Sequence, residues 1–195
     1  MIIRVADPDR DAAAICDIYA PYVRETAITF AYEPPTVAEE AALIRHLQQR
    51  YPYLVAEDEQ GRVIGYAYAC QFKDEGRAAF TWSVEVSVYV AKDVRRSGAG
   101  RALYTALERC LKAQGVVVMY ASIATAEAGD PYLTNDSELF HQKMGFVKCA
   151  HFAACGNKFG RWYDLIWMEK RLQDTAAVAD LRPFTPQMLA ETLQV

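Results

Sequence analysis

One stretch constrains the chain more than any other. Val84, Val86, Val88 and Val90 alternate with Glu85, Ser87 and Tyr89, the period of two that gives a strand one apolar face. From Gly100 onward the period changes. Leu103, Ala106, Leu107, Cys110 and Leu111 recur at helical spacing as far as Gly115, a natural stop. The turn between them, 92–99, carries Arg95, Arg96, Ser97, Gly98 and Ala99. A strand that passes through a glycine turn into an amphipathic helix needs a sheet with helices on its faces, so the expected class is α/β.

The remaining segments extend that pattern. A strand at 2–6 leads to a helix capped by Asp7 or Asp9, with Ala12, Ile15, Cys16, Tyr19, Tyr22 and Val23 at helical spacing. The double proline closing 26–35 marks a loop. Thr36-x-x-Glu39 is a capping box for a helix whose buried stripe is Leu43, Ile44 and Leu47. Strands are expected at 53–57 and 62–70, joined by the polar hairpin loop 58–61, then at 79–91, 116–124, 146–153 and 162–169, with a helix near 135–144. Residues 1–171 form one domain. Residues 172–195 are a tail in which Thr185-Pro186 opens a short helix presenting Met188, Leu189 and Leu193.

Composition removes several function classes. With 21 Lys and Arg against 25 Asp and Glu, there is no basic field to hold a nucleic-acid backbone. The five cysteines (Cys16, Cys70, Cys110, Cys149, Cys155) include no C-x-x-C pair, and the three histidines form no ligand cluster. Neither a disulfide framework nor a metal site is expected, and a reducing cytoplasm fits. The opening Met-Ile-Ile-Arg-Val-Ala-Asp-Pro-Asp-Arg lacks the apolar core of a signal peptide. The longest uncharged run, 113–126, is short of the ~18 residues a membrane span requires.

The glycine turn is where chemistry concentrates. Helix N-termini leave backbone N–H groups unpaired and carry the positive end of the dipole, which suits a pyrophosphate. Arg95, Arg96 and Arg101 add charge for phosphate oxygens, and glycine lets backbone approach a ligand closely. A plain glycine turn with solvated arginines is equally compatible with this composition. A dinucleotide fingerprint fails because Leu103 stands at the third glycine position, and a P-loop fails because no Gly-Lys pair occurs.

Arg95-x-x-Gly98-x-Gly100, set between this strand and this helix, resembles the R/Q-x-x-G-x-G/A signature of the GNAT acetyltransferase superfamily. Further segments are similar to its phosphinothricin acetyltransferase branch: Ile18-Tyr19-Ala20-Pro21-Tyr22-Val23, Tyr51-Pro52-Tyr53-Leu54-Val55-Ala56-Glu57, Trp82-Ser83-Val84-Glu85, and Ser137-x-x-Phe140-His141-x-x-x-Gly145-Phe146. The resemblance implies a mostly antiparallel sheet of about six to seven strands flanked by about four helices and splayed at an acetyl-CoA site. It implies acetyl transfer from acetyl-CoA to the primary amine of a small amino-acid-like acceptor, in a homodimer. The pyrophosphate would lie on residues 95–101, and the pantetheine along Val88, Tyr89 and Val90 as an added strand, with Ser137 and either Thr134 or Asn135 beside it.

The same resemblance makes Glu85 the general base and His141 the hydrogen-bond donor to the departing thiolate, and puts Phe30, Lys73 and Arg77 around the acceptor. Three features depart from the pattern: a longer segment through 74–76, a longer loop at 125–133, and a one-residue displacement that leaves Thr134 where the family has Asn. They leave open another acceptor (a polyamine, aminoglycoside or protein amine) and a non-catalytic acetyl-CoA-binding module.

Overall fold

The computed structural model describes residues 1–73, 77–94, 96–175 and 180–193. In chain order they form β1 (Ile2–Val5), α1 (Pro8–Glu25), α2 (Val37–Gln48), β2 (Tyr53–Glu57), β3 (Val63–Gln71), β4 (Ser83–Val90), α3 (Ala99–Gln114), β5 (Val118–Thr125), α4 (Asp136–Lys143), β6 (Val147–Lys158), β7 (Arg161–Arg171) and α5 (Pro186–Leu193). The strands make one sheet in the order β1-β2-β3-β4-β5-β7-β6. Every neighbouring pair is antiparallel except β4 and β5.

Local chemistry sets the helix ends. The Asp7 carboxylate accepts from the N–H groups of Asp9 and Arg10 at the start of α1. Thr36 and Glu39 close the capping box of α2 in both directions. Gly115 ends α3 at φ 102°, a left-handed conformation that glycine adopts without penalty.

Two apolar layers hold the sheet. On one face Leu103, Tyr104, Leu107 and Leu111 of α3 meet Leu54, Ala67, Val84, Met119 and Ile166. Phe184 and Leu189 from the C-terminal segment join this same layer. On the other face Ile15, Ile18 and Tyr22 of α1 and Ile44 and Leu47 of α2 cover Tyr53, Val55 and Tyr66. The valines of β4 thus point toward α3, as their alternation requires, and Glu85, Ser87 and Tyr89 face the opposite side.

Several expectations are corrected. The strand expected at 79–91 begins only at Ser83, because Ala78–Phe80 turn into a 3-10 helix with Phe80 and Thr81 donating to the carbonyls of Arg77 and Ala78. The last two strands reach each other through a tight turn in which Phe159 (φ 53°) and Gly160 (φ 71°) are both left-handed, extending the hairpin beyond 146–153 and 162–169. Leu43 and Leu193 are exposed rather than core residues, whereas Ala41 and Leu189 are buried.

Candidate active site

The site begins with a failure of pairing. β4 and β5 are in register only over Ser83–Glu85 against Val118–Tyr120, and then diverge. The resulting cleft, about 440 Å³ counting its open mouth, is lined by Val86, Ser87, Val88 and Tyr89 on one side and Ala121, Ser122, Ile123 and Ala124 on the other. Backbone groups on the β5-facing edge of β4 beyond Glu85 have no ladder partner there; the Val90 carbonyl accepts instead from the Tyr22 hydroxyl at 2.5 Å, and those of Val86 and Val88 face the cleft, where an extended ligand could pair with them. Tyr104, Ser137, His141 and Ile28 complete the wall.

At the far end of β4 lies the glycine turn where an anion cradle is expected. Gly98 is the N-cap of α3 at φ 89° and supplies no side-chain cap. The first intrahelical bond runs from the Ala102 N–H to the Gly98 carbonyl, so the preceding N–H groups fall outside the helical ladder. The Ala99 N–H donates to Ser97 Oγ at 3.3 Å. The two glycines differ in role. Gly98 is demanded by its backbone angle. A Cβ on Gly100 would meet Val90 and the Phe140 ring only at 3.5–3.7 Å, ordinary contact, so internal packing alone does not require glycine there. Arg96 holds φ 66° and is exposed, as is Arg101. Arg95 lies outside the described residues.

Glu85 is half-buried, next to Cys70 of β3 and Tyr120 of β5. Burial raises its carboxyl above the usual carboxylate range, and the Lys73 charge partly opposes this. Lys73 (φ 67°) extends its ammonium over the Phe72 ring at 4.9 Å and the Trp167 ring at 5.3 Å. Phe72 also stacks on Tyr120, with centroids 4.3 Å apart. Phe72, Tyr120 and Trp167 therefore form an aromatic group on the Glu85 side of the sheet. Sequence reasoning missed it because cross-strand register assembles it. The signal available was the alternation of β5, where buried Met119, Ala121 and Ile123 leave Tyr120 and Ser122 to the other face.

His141 is 5% exposed and held at both ring nitrogens. Nδ1 lies 2.7 Å from the Ser137 carbonyl, and Nε2 lies 2.7 Å from the Tyr104 hydroxyl. A carbonyl only accepts, so Nδ1 carries the proton. Burial lowers the imidazole pKa, with Ser137 opposing, so Nε2 is an acceptor and Tyr104 donates to it. The His141 proton is thus engaged by the backbone, and the O–H at the cleft wall belongs to Tyr104, which the sequence reading had not singled out. Burial, then the Glu85 charge, pushes the Tyr104 phenol up, so it keeps its proton.

The other expected residues are dispersed. Ser137 lines the cleft. Thr134 donates to Asp136 Oδ2 at 3.0 Å, and the Asn135 amide binds both backbone groups of Ala126, so neither side chain lines the cleft. Phe30 packs beside Tyr163 with its ring against Gly156, where a Cβ would overlap it. Arg77 is exposed, its carbonyl accepting from Gln71 Nε2. The inserted residues 74–76 lie outside the described residues. The longer 125–133 loop is tied down by the Tyr132–Phe159 stack and by the Ala27 N–H on the Tyr132 carbonyl.

The family profile described as an acetyltransferase (GNAT) domain matches residues 3–167. A phosphinothricin N-acetyltransferase of Streptomyces viridochromogenes is 36% identical over 176 residues, 90% of this chain and 90% of the relative. An L-methionine sulfoximine/L-methionine sulfone acetyltransferase of Pseudomonas aeruginosa is 36% identical over 167 residues, 85% of this chain and 91% of the relative. The crystal structure of a GNAT superfamily phosphinothricin acetyltransferase from Sinorhizobium meliloti in complex with AcCoA has a TM-score of 0.82 at 33% identity and covers 95% of both chains.

Proposed function

The chain belongs to the GNAT acetyltransferase family, and from that premise we propose that it transfers the acetyl group of acetyl-CoA to the primary amine of a small amino-acid-like acceptor, of the phosphinothricin or methionine sulfone/sulfoximine type. The observation carrying this reading is a half-buried carboxylate, Glu85, at the vertex where β4 and β5 part. The loops around that vertex support a small acceptor. Lys73 offers a cation for an acceptor carboxylate or phosphinate, and Phe72, Tyr120 and Trp167 offer an apolar surface for its side chain.

The chemistry follows from proton accounting. An alkylammonium with pKa near 10 is about three units above neutrality, so exposing its lone pair costs roughly 4 kcal/mol. It must lose two protons to become an amide. Glu85, its proton affinity raised by burial, takes the first directly or through one water. The free amine attacks the thioester carbon, and a backbone N–H on the open edge of β4 stabilises the oxyanion. Collapse expels the thiolate, which ends with the second proton. Tyr104, whose phenol resists ionisation, has one O–H and gives it to His141 Nε2 in the resting site; to act as the hydrogen-bond donor to the leaving sulfur it turns that O–H away from His141. This refines the expectation that His141 donates itself.

Two further proposals accompany this reading. Exposed Val147 and Phe152 on the edge strand β6, with Trp162 on β7, support a homodimer. Cysteines that are all free support a reducing, cytoplasmic setting.

The test is a panel of amines with acetyl-CoA, read by release of free thiol. Turnover with phosphinothricin, methionine sulfone or methionine sulfoximine well above that with polyamines, aminoglycosides and peptide N-termini is expected. Inert amino-acid analogues beside an active polyamine would replace the acceptor class, and silence with every amine would remove the catalytic reading.

A further inference from the structure

On the sheet face opposite α3 lies a second cavity, about 570 Å³ with its mouth, between α1, α2 and strands β2 to β4. Its walls include Tyr19, Tyr53, Tyr66, Tyr68 and Tyr89 together with Glu40. Tyr53 stacks on Tyr68 with centroids 5.0 Å apart, and Tyr66 stacks on Tyr89 at 5.4 Å. No Lys, Arg or His is among the described residues that line it.

Glu40 is the anomaly. It is 5% exposed, yet it accepts a single hydrogen bond among the described residues, from the Tyr53 hydroxyl at 2.5 Å. It lies in the first turn of α2 but takes no part in the cap, because Glu39 closes the capping box. Burial raises its carboxyl, with Tyr53 pulling the other way and no cation entering the balance. A buried carboxylate without a counter-ion is costly in an all-protein setting. Glu39 stands at the rim, so the whole cavity is anionic and aromatic. That is the chemistry that receives an organic cation, by charge, by cation–π attraction and by phenol oxygens.

We infer that this cavity is a binding site for a small organic ammonium ion, separate from the acetyl-transfer cleft and centred on Glu40. The two sites share a wall, since Tyr89 lines both.

Tetramethylammonium is a suitable probe because it has no N–H and cannot serve as an acetyl acceptor. Calorimetric titration of the whole protein, with sodium chloride as the ionic-strength control, is expected to give saturable one-to-one binding. Glu40→Gln is expected to weaken it by at least about tenfold, the cost of removing the charge partner, while Glu85→Gln leaves it unchanged. Absence of saturable binding, or equal affinity in Glu40→Gln, overturns the site. Should Glu40→Gln fail to fold, ring-labelled tyrosine in the wild-type protein decides: the probe should move the Tyr53 and Tyr66 resonances and leave Tyr104 in place. Movement of Tyr104 alone would assign the cation to the other cleft and sink the inference.

Discussion

The two edges of β4 are treated differently. Toward β3 the strand is in register over seven residues, from Val84 opposite Gln71 to Val90 opposite Gly65. Toward β5 it is in register over three. The closed edge continues past the strand, where the Ala91 N–H donates to the Ile64 carbonyl, while the Tyr22 hydroxyl caps the Val90 carbonyl on the other edge at 2.5 Å. A strand fixed on one side can present a straight, unpaired backbone on the other without collapsing onto its neighbour. Strand pairing and the proposed acetyl-transfer site therefore fall on opposite sides of the same eight residues. Substitutions on the open side should change rates and affinities, and those in the closed half should change stability.

The largest expected effect tests the open side. Glu85→Gln should lower kcat/KM for the acceptor by about 100- to 10,000-fold, the usual weight of a positioned base, while the dissociation constant of acetyl-CoA stays as it was. Steady-state kinetics beside calorimetry separates the two quantities. An unchanged kcat/KM would take Glu85 out of the mechanism.

The closed half is probed at its ionic clamp. Arg4 Nη1 and Nη2 reach the Asp11 oxygens at 2.6 and 2.7 Å, and Nη2 also reaches Glu57 Oε1 at 2.7 Å. Asp11 is 1% exposed. Burial pulls its carboxyl up, but the Arg4 hydrogen bond and the Asp7 N–H outweigh this and hold it below the usual range. Arg4→Met would leave that buried charge with only the Asp7 N–H and the Arg10 Nε at 3.7 Å, costing roughly 3 kcal/mol in a denaturant titration with kcat unaltered. Because the folded pKa is depressed, the contribution is complete above the unfolded value near 3.9 and is lost as pH falls through the folded value. Acid unfolding should lose that component in the variant. A loss of kcat matching the loss of stability would break the division between the halves.

The third test returns to the open side, at its glycine. Gly100→Val should raise the KM for acetyl-CoA about tenfold by filling the cradle, with stability changed by no more than about 1 kcal/mol, since helix propensity and contacts there are tolerant. Equal affinity for acetyl-CoA would mean that the diphosphate does not lie against this residue.

Most of the closed half was legible in the sequence, because periodicity and caps are local. The valine alternation gave β4, Thr36 and Glu39 gave the start of α2, and Gly115 gave the end of α3. The strand and helix on which the donor site is proposed were legible for the same reason: strand, turn and helix are consecutive. The acceptor side was not. Tyr120 becomes a neighbour of Glu85 only through the short β4–β5 register, and Trp167 reaches Phe72 only because β7 lies beside β5. The Tyr104–His141 pair joins residues 37 apart on two helices, so a motif ending at His141 could not name its partner. Leu43, at a helical core spacing, instead borders the tyrosine cavity, since Glu40 occupies the inward position one turn earlier.

The smallest expected effect bears on how the open edge sets its base. Two influences act on Glu85: burial raises its pKa, and the Lys73 charge lowers it. In the base mechanism the carboxylate form is the active one, so kcat/KM falls as pH drops through the Glu85 pKa. Lys73→Met removes the opposing influence and keeps a chain long enough to lie over Phe72 and Trp167. The acid limb of the pH profile should therefore move to higher pH, with the plateau at high pH little changed for an acceptor lacking an anionic group. An acceptor carrying a carboxylate or phosphinate should in addition show a raised KM, because Lys73 would also be its counter-ion. A limb that moves with no KM change assigns Lys73 to the base alone. A KM change with a fixed limb assigns it to the acceptor alone, and would mean that burial by itself sets the proton affinity at the vertex of the cleft.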